Sequence, residues 1–245
     1  MATYKTAVPQ DVCMDVLGDV ITRDRRSDST ALSAPTVGRC YDYRRFCTTA
    51  WKTGNFLRNL GVRDGAGVAV ADDPLPEPVL TLYGAAALGA VVSFDPPTDV
   101  GADVRALVVP AGDVDAYRFG PETKEIVYGD PPDDPSISYF ERDVWSENPT
   151  APPDQVAPAD PLLRTAVGPY THGEVLQAAR RVIGRHGIDA DSVVAVRGSF
   201  ADPTVVVAGL VAPIVAGAAV SIGPDADGTC VVGGSKSDID TVGLR

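Results

Sequence analysis

The sequence predicts an α/β protein of two similar βαβ halves, built on parallel sheets with helices on the sheet faces and related by an internal repeat. Three observations predict it. Short runs such as residues 67–71 and 193–196 are apolar throughout, as strands buried on both faces must be. These runs alternate with helix-length segments, the pattern of parallel strands joined by crossover helices. Finally, the order helix, turn, strand, Asp-Pro loop, Ala/Gly-rich helix and strand of residues 43–97 returns over residues 171–224.

Taken in order, residues 1–38 are weakly patterned. Met14, Leu17 and Ile21 stand three and four apart and predict a short helix within 12–21. Residues 27–33 read as a polar loop, and 31–35 with 40–43 as an entering strand pair. Phe46, Ala50, Thr53, Leu57 and Leu60 then define one face of a helix that Asp42 caps and Gly61 ends. A strand at 67–71 leads through Asp72, Asp73 and three prolines into a narrow helix at 79–88, whose Gly and Ala residues permit close approach to the sheet. Glu77 and Asp73 stand near the positive end of that helix and read as capping and solvated groups. Strands follow at 91–94, 106–109 and 125–128. Residues 131–161 carry eight prolines and many acids, with only 136–145 expected to be ordered, and so divide a first sub-domain (1–130) from a second (162–245).

The repeat has a fixed spacing. Gly187, Val194 and Val196 lie 126 residues after Gly61, Val68 and Val70, while Gly217 and Pro224 lie 128 after Gly89 and Pro96. One two-residue gap therefore aligns about fifty residues. Halves of this kind face each other across a cleft, and ligands of α/β sheets sit at the carboxyl ends of the strands.

Composition narrows the function. The net charge is −12, and Asp supplies 27 of the 33 acids, whereas only four of the 21 basic residues are Lys. Two readings fit: a protein of a salt-rich cytosol, where the Debye length falls to about 3 Å at molar salt, or an ordinary acidic protein. No nucleic-acid partner is expected, because the nearest basic run, Arg23-Asp24-Arg25-Arg26, is interrupted by acid. The four cysteines show no Cys-x-x-Cys and the two histidines lie far from them, so no metal site is expected. The N-terminus lacks the apolar core of a signal peptide, and the apolar run 205–222, broken by Pro213, reads as a buried helix and strand rather than a membrane span. A cytoplasmic protein without a membrane partner follows.

Residues 41–70 and 83–92, with the Leu60-Gly61-Val62-Arg63-Asp64-Gly65 turn and the Gly89-Ala90-Val91 helix end, resemble the opening of the adenylate-forming superfamily: acyl-CoA synthetases, luciferases and peptide-synthetase adenylation domains. Thr171-His172 is similar to the Thr-His that opens the helix after that family's phosphate loop, and residues 212–218 to its Pro-Leu-x-x-Gly-Ala element. The resemblance implies ATP, AMP or CoA as the candidate cofactors and, in an active member, acid–thiol ligation. The departures are as informative. The family's Ser/Thr/Gly-rich loop ending in Pro-Lys has no counterpart in residues 161–170, which offer one Thr, one Gly and no Lys. The later adenine- and ribose-binding motifs and the small C-terminal domain with its adenylating lysine are likewise not found before Arg245.

Candidate ligand residues are Arg197, Ser199, Phe200 and Asp202, in the loop where the family's acyl pocket begins, together with Gly168, Thr171 and His172. Gly233, Gly234, Ser235 and Lys236 read either as an anion-binding turn or as a tight turn into a tail. Asp72 and Asp73 read as an acid pair or as caps, and no catalytic residue is assigned. The expected function is a degenerate, non-adenylating relative that binds a small acyl, CoA or nucleotide ligand or acts in regulation. The alternatives are one part of a split ligase completed by another chain, and a protein-interaction scaffold. Self-association or a partner protein stays open.

Overall fold

The computed structural model describes residues 14–234 and 237–239. A 3₁₀ turn, Leu17–Ile21, precedes a hairpin of β1 (Thr30–Ala34) and β2 (Arg39–Asp42). The Asp42 carboxylate accepts the Arg45 N–H and caps α1 (Tyr43–Asn59), which buries Phe46, Ala50, Thr53 and Leu57. Then come β3 (Gly67–Val70), α2 (Pro76–Ala86), β4 (Val91–Phe94), β5 (Val104–Pro110), β6 (Lys124–Tyr128), the short β7 (Ser138–Tyr139) and α3 (Phe140–Trp145). A second hairpin, β8 (Pro161–Thr165) and β9 (Gly168–Thr171), leads into α4 (His172–His186) and β10 (Val193–Val196). The apolar run is indeed a buried helix and strand. Its helix is α5 (Pro203–Val205), a π-helical stretch Val206–Val211 and α6 (Ala212–Ala216), and β11 (Ala219–Ile222) and β12 (Cys230–Val232) follow. Among the described residues no helix is long and apolar enough to cross a membrane.

The strands form two sheets, ordered β12-β10-β11-β1-β2 and β7-β6-β5-β3-β4-β8-β9. Both are parallel except for their hairpins, β1 with β2 and β8 with β9. The order β5-β3-β4-β8-β9 matches β12-β10-β11-β1-β2 strand for strand, so the repeat seen in the sequence is a repeat of architecture. Each half, however, gives its opening hairpin to the other half's sheet: β1 pairs with β11, and β8 with β4. The helix ends repeat as well, since Gly61, Gly187, Gly89 and Gly217 all take the left-handed backbone that glycine adopts without cost. The two extra residues of the second copy fall in the stretch that holds the π-helix, whose wider turn takes up more residues per rise.

Two expectations are corrected. The entering strand pair read at 31–35 and 40–43 is β1 with β2. What is corrected is the overlapping polar loop read over 27–33, which gives way to strand at Thr30 because Ala31, Leu32 and Ala34 are buried against the second sheet. Glu77 is not solvated: it is 1% exposed and ion-paired to Arg39 of β2, which in turn donates to the Tyr41 hydroxyl at 2.6 Å. Past α3, the chain from 146 to 160 has no regular structure but is tied along α1. Asn55 donates to the Asn148 and Thr150 carbonyls, and Arg58 pairs with Asp154 at 2.9 Å.

Within α2, Gly84 serves a neighbouring helix rather than the sheet. A Cβ on Gly84 would stand 2.8 Å from the Gly54 nitrogen and 3.0 Å from the Ala50 carbonyl, and one on Gly54 would stand 2.9 Å from the Gly84 carbonyl. The backbones of α1 and α2 thus touch where they cross. We expect Gly84→Val to lower stability by roughly 3 kcal/mol through overpacking. Gly184→Ala, in α4 with nothing within 4 Å, should raise it by about 0.5–1 kcal/mol. Urea unfolding midpoints in molar potassium chloride measure both, and equal midpoints for Gly84→Val and the parent would refute the crossing as a constraint.

Candidate functional site

The loops that leave β3 and β10 meet at the carboxyl ends of the two sheets. Asp72 accepts the Phe200 N–H at 2.7 Å, and the Phe200 ring packs edge-on against Phe94 from the end of β4, with centroids 5.5 Å apart. Asp72, Pro74, Arg197, Gly198, Ser199 and Phe200 line a pocket of about 290 Å³, together with Gly223 and Pro224. Beyond the Phe94–Phe200 pair, a second cavity of about 410 Å³ runs along Ser93, Phe94, Asp95, Arg164, Thr165 and Ala166. Asp95 there holds a left-handed backbone, φ 54°, which a short polar side chain tolerates better than most.

Local geometry fixes these groups. The Ser199 hydroxyl accepts the Ala201 N–H at 3.1 Å, and the Arg197 Nε donates to the Ala226 carbonyl at 2.8 Å. Asp202 caps the following helix through the Thr204 N–H and hydroxyl, at 2.8 and 2.6 Å. Asp73 accepts from the Tyr128 hydroxyl at 3.1 Å; burial raises its carboxyl pKa above the ordinary range. The two aspartates therefore act separately, Asp72 across the cleft and Asp73 within its own sheet.

The place before the Thr-His helix is the β8–β9 hairpin, and its connection is short. Thr165 donates its hydroxyl to the Gly168 carbonyl at 2.9 Å across Ala166 and Val167, and Val167 is 71% exposed. Arg164, the basic residue nearest this turn, is ion-paired to Asp103, whose carboxyl that contact holds below its usual range. Gly168, at φ 126°, serves the hairpin. Thr171 caps α4 in a reciprocal box with Glu174, at 3.2 and 2.8 Å.

Of the sequence-derived candidates, the fold thus gathers Arg197, Ser199 and Phe200 in one pocket. Asp202, Gly168, Thr171 and His172 are committed to caps, a turn and a buried contact. Gly233 and Gly234 are both at φ 76°, and Gly233 lies against Gly198, where a Cβ would stand 2.4 Å from the Gly198 Cα. The Gly233 N–H goes to the Ser237 hydroxyl at 3.1 Å. Ser235 and Lys236 lie outside the described residues. Sequence reasoning missed Phe94, whose only signal is an aromatic at a strand's carboxyl end. It also missed a basic cluster: Arg26, Arg39, Arg44, Arg45 and Lys52 line one groove although they are spread over 27 positions. Among the described residues no group of three His, Cys, Asp or Glu is placed to hold a metal.

The two exchanged hairpins and the paired sheets define a known class of fold. No family model matches the chain, and no curated protein matches it. Solved structures do. The anthranilate CoA ligase AuaEII bound to anthranoyl-AMP superposes with a TM-score of 0.71 at 20% identity, over 85% of this chain and 45% of that one. A long-chain-fatty-acid CoA ligase from Rhodopseudomonas palustris, described as putative, gives 0.70 at 20% identity, over 84% and 56%. The nonribosomal peptide synthetase FmoA3 in its α-methyl-L-serine-AMP form gives 0.69 at 19% identity, over 85% and 24%. The chain therefore has the fold found in adenylate-forming enzymes, and spans about a quarter to a little over half of the length of these structures.

His172 is fully buried at the start of α4, and its Nδ1 accepts the Leu17 N–H at 3.1 Å, so the neutral ring carries its proton on Nε2. It lines neither cavity of the cleft. Burial lowers its pKa to about 4, against the pull of Asp160 and Asp19. An unfolded histidine takes up a proton near pH 6.5, so between there and pH 4 the unfolded state binds more protons. Stability is therefore full above about pH 6.5 and falls as pH drops toward 4, by roughly 3 kcal/mol across the window. We expect His172→Gln to lose about 2 kcal/mol less than the parent between about pH 7 and pH 5. Urea midpoints at the two pH values measure this, and equal losses in the two proteins would refute it.

Proposed function

We propose that this protein is a non-adenylating binding protein built on the adenylate-forming fold, holding a small acyl, CoA or nucleotide ligand at the carboxyl ends of its two sheets. The observation that carries the reading is the two-residue connection of the β8–β9 hairpin. In the superfamily this chain resembles, the loop before the Thr-His helix supplies the N–H groups and hydroxyls that hold the triphosphate. Ala166 and Val167 supply neither hydroxyl nor charge, and Arg164 is neutralised by Asp103. Attack of a carboxylate on an α-phosphate needs alignment and charge stabilisation together, each worth several kcal/mol of barrier. A ligand here is held instead by Arg197, Ser199 and the Asp72-anchored Phe200, with its apolar part against the Phe94–Phe200 pair. The protein works in a salt-rich cytosol, an assignment supported by the 27 aspartates among its 33 acids.

Calorimetry in molar potassium chloride with ATP, AMP, CoA and a series of carboxylic acids tests the binding, and ATP–pyrophosphate exchange tests the chemistry. The expected result is binding of at least one of these, weakened roughly tenfold or more by Phe200→Ala, with no exchange. Exchange by the purified chain would overturn the non-adenylating assignment, and exchange only with a second protein added would make the chain one part of a split ligase. Failure of every ligand to bind would leave the cleft without a binding role.

A further inference from the structure

A groove of about 600 Å³ lies between α1 and α3 and shares none of the lining of the cleft. Arg44, Thr48 and Lys52 follow one another at intervals of four along α1, so they stand in one row on the helix. Arg45 and Thr49 form the adjacent row, Arg26 and Arg39 close one side, and α3 contributes Glu141 and Trp145. Five cationic side chains thus face one lining carboxylate in a chain of net charge −12.

Two of the five are neutralised, Arg39 by Glu77 and Arg44 by Asp28. Among the described residues Arg26, Arg45 and Lys52 meet no carboxylate at ion-pair distance. They are nonetheless held in place. Arg26 donates to the Thr48 hydroxyl and lies 5.2 Å over the Trp51 ring, Arg45 lies 5.3 Å over Tyr41, and Lys52 lies 5.0 Å over Trp145. The Arg26 Nε is buried without a hydrogen-bond partner. Trp145 is 79% exposed, the most open large apolar side chain among the described residues. Preordered guanidinium groups suit the planar, multidentate recognition of phosphate, and an open indole face suits a flat ring. The volume falls within the range of small-molecule sites.

We propose that this groove binds a small organic phosphate carrying a planar ring, its phosphate on Arg26, Arg45 and Lys52 and its ring on Trp145. The assignment is independent of the cleft. Trp145 lines the groove, so titration with AMP, followed by intrinsic fluorescence, reports on it directly. The expected result is saturable quenching by AMP, at least tenfold tighter than by adenosine and weakening as potassium chloride rises. Arg26→Gln with Arg45→Gln should weaken AMP binding tenfold or more, and Arg45→Gln alone, an exposed side chain whose loss leaves the fold intact, by a few-fold. Asp72→Asn and Phe200→Ala in the cleft should leave the quenching unchanged, which separates the two sites. AMP and adenosine binding alike, AMP binding equally to Arg45→Gln and the parent, or loss of the signal in the cleft variants would each overturn the proposal.

Discussion

Two parallel pairings, β1 against β11 and β4 against β8, decide how the rest of this chain is arranged. A parallel pairing cannot be made by a tight turn, so each joins strands far apart in sequence. Because each hairpin completes the sheet of the other half, neither sheet reaches its full order from one half alone. The core is correspondingly continuous: one cluster of buried side chains runs from Leu17 through both sheets to Ile239. Hydrogen bonds across the repeat follow the same logic. The Tyr83 hydroxyl donates to the Leu210 carbonyl at 2.8 Å, and the Tyr43 hydroxyl to Ala218 at 2.7 Å, so helices of the first copy are tied to the closing elements of the second. Burial of these phenols raises their pKa above the ordinary value, which keeps them protonated as donors.

The exchange also creates the cleft. With β8 beside β4, the hairpin connection at Ala166 and Val167 is carried to the carboxyl end of the first sheet, next to Phe94 and Asp95. The loop of the second sheet arrives from the opposite side with Phe200, and Asp72 takes its N–H. A carboxylate accepting a backbone N–H across two sheets makes a stronger bond than a neutral acceptor would, and it sets the register of the two loops. The pocket residues are thus positioned by the fold itself, whatever ligand they meet.

Much of this was legible in the sequence, and the part that was not has a physical reason. Strands β3 and β10 announced themselves because burial on both faces leaves no polar position, and β4 and β11 because each carries a single serine among apolar residues. Arg197, Ser199 and Phe200 were found because a ligand site at the end of such a strand follows from topology alone. The hairpin exchange was not readable, since the side chains of β1 state that it is buried and not which strand buries it. Glu77 was misread for the same reason. Its place in the first turn of α2 suggests a solvated acid, and only the fold brings Arg39, 38 residues earlier, to its carboxylate. His172 looked like part of a motif, whereas the contact that explains it, with the Leu17 N–H, spans 155 positions.

Charge is where local and global readings diverge most. Along the sequence the basic residues are diluted by aspartates, and no window between Arg26 and Lys52 suggests an anion site. In three dimensions the four-residue period of α1 and its neighbours collect them, while the nearby acids are already taken: Asp42 as a cap, Asp28 on Arg44 and Glu77 on Arg39, which leaves Arg26, Arg45 and Lys52 without a carboxylate among the described residues. A chain with so many carboxylates leaves cations unpaired only where the geometry keeps carboxylates away, because a surface ion pair costs little to form and gains up to about 1 kcal/mol. Arg26, Arg45 and Lys52 are kept apart from acid by aromatic rings, which hold a cation without neutralising it. Screening in salt shortens the reach of the surrounding negative field to a few ångströms, but acts least on contacts inside a groove. The same composition that removes long-range attraction for anions therefore leaves this short-range one in place.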